Sequence, residues 1–63
     1  MLSENLKRFR TEQRYTRKQL AELVGVTATT IQLIETGKND NPGIKTIEGL
    51  AKVLKVPVSK LIK

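Results

Sequence analysis

Thr16-Arg-Lys-Gln-Leu-Ala-Glu-Leu-Val-Gly-Val-Thr-Ala-Thr-Thr-Ile-Gln-Leu-Ile-Glu-Thr-Gly37 is the stretch that decides the fold. It reads as two short helices joined by a tight turn at Gly25. Thr16 stands three residues before Gln19, the spacing at which a cap hydroxyl and an amide satisfy each other's free backbone N–H groups. Thr27 precedes an Ile31/Ile34 pair and opens the second half with its own cap signal. Val24-Gly25-Val26 forms the corner, with glycine where the chain needs φ > 0. The first half spans about Arg17 to Val24, with Leu20, Ala21 and Val24 as its buried stripe. The second spans about Ala28 to Thr36, with Ile31 and Ile34 inward and Gly37 ending it. Ala21 lets the two halves cross closely; a larger residue there would overpack the crossing at ~1–3 kcal/mol. Thr27, Thr29, Thr30 and Ile31 are β-branched and weak helix formers, so packing must hold the second half together. Leu23 points away from the stripe, either as an inconsequential exposed leucine or as part of a protein contact.

Outward from this stretch, the chain reads as helices throughout. Ser3 is the expected N-cap of a first helix, with Glu4 complementing the dipole in its first turn. That helix runs to about Arg14 and places Leu2, Leu6, Phe9 and Gln13 on one face. Arg10 lies inward beside Phe9 with no partner evident from spacing, while Lys7, Arg8 and Arg14 face outward. Tyr15 bridges the first and second helices. Lys38-Asn-Asp-Asn-Pro-Gly43 is a loop by its polar composition and Pro-Gly step. A fourth helix follows from about Ile44 to Leu54, with Ile44, Ile47, Leu50, Ala51 and Leu54 in register. Gly49 inside it costs about 0.5–1 kcal/mol relative to alanine; it either permits close approach by another backbone or is simply tolerated, and tolerance is the favoured reading. Pro57 opens a last short helix through Leu61 and Ile62. The fold class is all-α: five helices in one compact domain over residues 1–63.

Bulk properties narrow the function. The 63 residues contain no cysteine and no histidine, which excludes disulfides and the usual zinc sites. No metal and no cofactor is therefore expected. Leu, Ile and Val outnumber the single Phe and single Tyr, so the core is aliphatic. There is no long apolar run, and the start Met-Leu-Ser-Glu-Asn lacks a signal-peptide core, so no membrane association is expected and the cytoplasm is the default location. A net charge of +6 on so short a chain points to a polyanionic partner. Two short helices around a glycine turn, the first with a basic start, then suggest a DNA-binding helix-turn-helix.

A spaced pattern extends this reading across nearly the whole chain. It runs Thr16-x-x-x-Leu20-Ala21-x-x-Val24-Gly25-Val26-Thr27-x-x-Thr30-Ile31-x-x-Ile34-Glu35-x-Gly37-Lys38. It continues with Asn41-Pro42, Ile44-x-Thr46-Ile47-x-x-Leu50-Ala51-x-x-Leu54, Val56 and Leu61-Ile62. The pattern resembles the phage repressor and Cro class of helix-turn-helix proteins. The resemblance implies a lambda-repressor-like DNA-binding domain, with the helix-turn-helix formed by helices 2 and 3. It also implies a sequence-specific regulator of transcription, usually a repressor, that binds a double-stranded DNA operator as a homodimer.

Residue roles follow from the resemblance. Arg10 and Glu35 occupy the places of an ion pair between the first and third helices, a structural role. Arg17, Lys18, Lys38, Asn39, Asn41 and Gly43 fall where the family positions the phosphate backbone. Asp40 opposes that task. Ala28, Thr29, Gln32, Leu33 and Thr36 form the outward face of the third helix and are expected to read bases. Gln32 can pair with adenine, Thr29 can offer a hydroxyl or a methyl, and Leu33 only an apolar contact. Val53, Val58 and Ile62 are the expected dimer patch, unless they complete a monomeric core.

The alternative function is a protein-interaction module on the same fold, antitoxin-like or an adaptor. Leu23, Ala28 and Leu33 favour it; the net charge and the basic start at Arg17 and Lys18 oppose it. An enzyme is the poorest reading. The six acids show no general acid–base pairing, Ser3 and Ser59 have no nearby base, and the chain is too small for a cavity of several hundred Å³ (typically about 300–1,000 Å³).

Overall fold

Nine side chains form the core: Leu6, Leu20, Ala21, Ile31, Ile34, Leu50, Ala51, Leu54 and Leu61. All are aliphatic, and Phe9 and Tyr15 only flank them, half-buried. The computed structural model describes residues 1–63 and places these side chains on five helices. They are α1 (Leu2–Glu12), α2 (Arg17–Val24), α3 (Ala28–Glu35), α4 (Ile44–Leu54) and α5 (Val58–Ile62). The helix α3 packs against both α1 and α2; α2 also packs on α4, and α5 closes the far side against α1 and α4. The third helix is thus supported from two sides, with its remaining face outward.

The local chemistry explains where α2 and α3 begin and end. The Gln19 N–H donates to Thr16 Oγ1 at 3.0 Å, and the Thr16 N–H donates to Gln19 Oε1 at 2.9 Å, a complete capping box. At α3 the Thr30 N–H donates to Thr27 Oγ1 at 3.1 Å. Gly25 is left-handed at φ 90°, which lets the Gly25 and Val26 N–H groups both close on the Ala21 carbonyl, at 2.8 and 2.9 Å.

Several boundaries differ from the sequence reading. Ser3 is not the cap of α1. The helix already begins at Leu2, which packs against the core, and no side chain caps it. Its far end falls at Glu12 rather than near Arg14, because Arg14 is itself left-handed at φ 61°. The Arg14 and Tyr15 N–H groups then close on the Thr11 and Arg10 carbonyls, each at 3.0 Å. Lys55 ends α4 the same way at φ 59°. Cations suit the negative end of a helix dipole, which helps a side chain occupy a conformation that glycine adopts more readily. Thr36 caps α3 rather than continuing it, and Pro57 precedes α5 as its cap residue. Ile44, in register with the core positions of α4, is 63% exposed in the first turn.

Gly49 is not merely tolerated. A Cβ at this position would lie 3.1 Å from Val24 Cγ1 of α2, tighter than ordinary contact, so a larger residue would require the Val24 side chain to give way. Gln13 does serve the interior, donating its amide to the Leu54 carbonyl. Asn5 joins the two ends of the bundle, donating to the Lys60 and Leu61 carbonyls at 3.1 and 3.0 Å.

Candidate nucleic-acid interface

Glu35, the last residue of α3, has only 1% of its side chain exposed. Arg10 from α1 meets it with two nitrogens: Nε donates to Oε2, and Nη2 donates to Oε1 at 3.1 Å. The remaining Arg10 nitrogen, Nη1, donates to the Tyr15 carbonyl at 2.8 Å. Arg17 from α2 adds a third bond to the carboxylate, from its Nε to Oε1 at 3.1 Å. No buried side-chain nitrogen or oxygen lacks a partner. A carboxylate held from two helices fixes the rotation of α3 about its axis, since turning the helix would strand a buried charge.

Arg17 therefore has a role that the sequence reading did not give it. Its side chain is committed through Nε to Glu35 and is 39% exposed, so it belongs to the support of α3 as much as to the surface. Nothing in the spacing of Arg17 and Glu35 signals this contact, which arises only because α2 starts beside the end of α3.

With Glu35, Ile31 and Ile34 inward, Ala28, Thr29, Gln32, Leu33 and Thr36 are all exposed on one face of α3. Thr36 turns its hydroxyl back on the helix, donating to the Gln32 and Leu33 carbonyls at 2.9 and 3.3 Å. Lys18 at the start of α2 is exposed, as are Lys38, Asn41 and Gly43 in the loop after α3. Asn39 is half-buried and organises that loop. Its N–H donates to the Leu33 carbonyl at 3.0 Å and its Oδ1 accepts from the Asn41 N–H at 3.2 Å. Asp40 is exposed among them. The structure thus ties the start of α2 to the end of α3 through Arg17 and Glu35, and the loop to α3 through Asn39 and Leu33.

A helix-turn-helix family model matches residues 6–61. The chain belongs to the phage repressor and Cro class of helix-turn-helix proteins. Among its relatives, the transcriptional repressor RghR of Bacillus subtilis is 42% identical over 59 residues, covering 94% of this chain and 44% of RghR. The transcriptional regulator SinR of Bacillus subtilis is 34% identical over 62 residues, covering 98% of this chain and 56% of SinR. The chain therefore spans about half the length of these relatives. A crystal structure of SinR, the master regulator for biofilm formation, in complex with DNA matches with a TM-score of 0.94 at 33% identity, covering 100% of both chains.

The apolar surface of this helix-turn-helix chain lies partly elsewhere than the sequence indicated. Val53 and Val58 are half-buried and pack against the core. Ile62 is 49% exposed and lines an open groove of about 470 Å³ with Met1, Leu2, Ile47, Asp40 and Asn41, a larger hollow than the chain length implies. The α1 start and Ile47 carry no apolar periodicity beyond that of their own helices, so only the packing of α1, α4 and α5 could identify them.

Proposed function

We propose that this chain is one DNA-binding unit of a sequence-specific transcriptional regulator, a repressor in the first instance, acting in the cytoplasm. The unit places α3 in the major groove of double-stranded DNA. The observation that carries this reading is the match over the full length of both chains to SinR in complex with DNA. The Arg10–Glu35–Arg17 cluster supports it physically, because a recognition helix must be held in one rotation to read base edges.

In this reading the α3 face reads bases, while Lys18, Lys38, Asn41, Gly43 and the free nitrogens of Arg17 set the register on the phosphates. Asn39 contributes by shaping the loop. Two chains form a homodimer through apolar surface near Ile62, with the accessible edges of Val53 and Val58, and present two α3 helices about 34 Å apart to a two-fold symmetric operator. No helix of the chain is long and apolar enough to cross a membrane, and the reading needs none.

Binding of a fluorescent duplex pool, measured between low and moderate salt, tests this function. Affinity falls steeply with salt, and Lys38→Ala weakens binding uniformly across sequences while reducing the log–log salt slope by about 1. No binding at low salt overturns the reading in favour of a protein-interaction module. The observation that favours that second reading is Leu23, which is 58% exposed on the outer side of α2.

A further inference from the structure

The surface of this strongly basic chain loses its charge on α3. Between Ala28 and Glu35 the one ionisable side chain is Glu35, and it is turned inward onto Arg10 and Arg17. Arg or Lys paired with guanine O6 and N7 is the commonest specific contact in the major groove. The outward face of α3 has no residue that can make it.

Some hydroxyl protons in and beside α3 are already engaged. Thr27 and Thr30 bond each other at 2.9 Å, and Thr36 bonds the Gln32 and Leu33 carbonyls. The Thr36 hydroxyl keeps only its acceptor capacity. What remains for a base pair is the Gln32 amide, the Thr29 side chain, and apolar surface from Ala28 and Leu33. Leu33 is 38% exposed and is the one large apolar side chain on this face. Thr29 and Leu33 stand one helical turn apart, with Cβ atoms about 5–6 Å from each other, so one methyl group resting on this face can touch both side chains. Ala28 stands one turn before Gln32, and its small side chain leaves the amide room to reach outward.

We propose that α3 reads A·T pairs, with a pyrimidine 5-methyl group packed against Thr29 and Leu33 and an adenine held by the Gln32 amide. The inference rests on α3 lying in the major groove and names the chemistry that it recognises there. A·T pairs are selected because thymine carries the methyl and adenine presents the N6–H donor and N7 acceptor that one amide can satisfy together. Guanine is rejected because its O6 and N7 both accept, leaving the amide oxygen of Gln32 unpaired.

The test starts from duplexes that the 63-residue chain selects out of a random pool, with each thymine of the half-site then replaced singly by deoxyuridine. One replacement per half-site weakens binding about fourfold, the factor that loss of one buried methyl group gives. The loss vanishes in Leu33→Ala and persists in Leu33→Met, whose thermal midpoints are measured alongside. At the sensitive position, cytosine opposite guanine binds poorly and 5-methylcytosine recovers part of the loss, which separates the methyl from the rest of the A·T pair. Selected half-sites built on G·C pairs, uracil without effect at every position, or an equal uracil loss in Leu33→Ala each overturn the proposal while leaving DNA binding intact. Absence of salt-sensitive binding to any duplex overturns the underlying DNA-binding reading as well.

Discussion

Glu35 accepts three hydrogen bonds from two guanidinium groups while nearly all of its side chain is buried. Removing it leaves Arg10, whose side chain is 12% exposed, without its carboxylate. Glu35→Ala is therefore expected to lower unfolding stability by about 3–5 kcal/mol, as loss of one partner of a buried pair does. Glu22→Ala, at an exposed position of α2 with no ion pair, is expected to change it by no more than about 0.5 kcal/mol. Denaturant titration of the two variants checks the contrast, and equal midpoints contradict the structural role of Glu35. This residue also marks a boundary of legibility. Periodicity turned Arg10 inward but supplied no partner for it, and only the family resemblance pointed to Glu35. Arg17 lay beyond both, since its bond to Glu35 depends on how α2 and α3 meet in space.

At the scale of the element, caps and turns were legible because their chemistry is local. Thr16, Gln19, Thr27 and Gly25 each act within a few residues of themselves, and the structure shows the hydrogen bonds that their spacing implies. The bounds of α2 and the start of α3 follow from such signals. The end of α1 did not, because Arg14 holds a left-handed conformation in which glycine is the usual signal. Gly49 was misread for a different reason: its neighbour is Val24 of α2, 25 residues away along the chain. Gly49→Val would add a branched side chain where a Cβ alone already lies 3.1 Å from Val24 Cγ1. A loss of about 1–3 kcal/mol is expected, the usual cost of overpacking. Thermal unfolding followed by circular dichroism measures it; an unchanged midpoint contradicts the close approach.

For the whole molecule, an aliphatic core and a net charge of +6 describe a small basic bundle with one face of α3 outward. The all-α class and the five helices could be read from the pattern of apolar residues. The accessible apolar surface could not, because Val53 and Val58 turn out to be half-buried, and Met1, Leu2 and Ile47 join Ile62 only in the packed bundle. The reading of α3 as the recognition helix is tested most directly by parallel selections from a random duplex pool with the wild-type chain and Gln32→Ala, at one stated salt concentration. The wild type is expected to recover a recurrent two-fold symmetric sequence. Gln32→Ala, altered at an exposed position, should keep its fold and its salt-sensitive binding while losing preference at one base pair of each half-site. A wild-type pool with no recurrent sequence, or a Gln32→Ala pool with unchanged preferences, contradicts it.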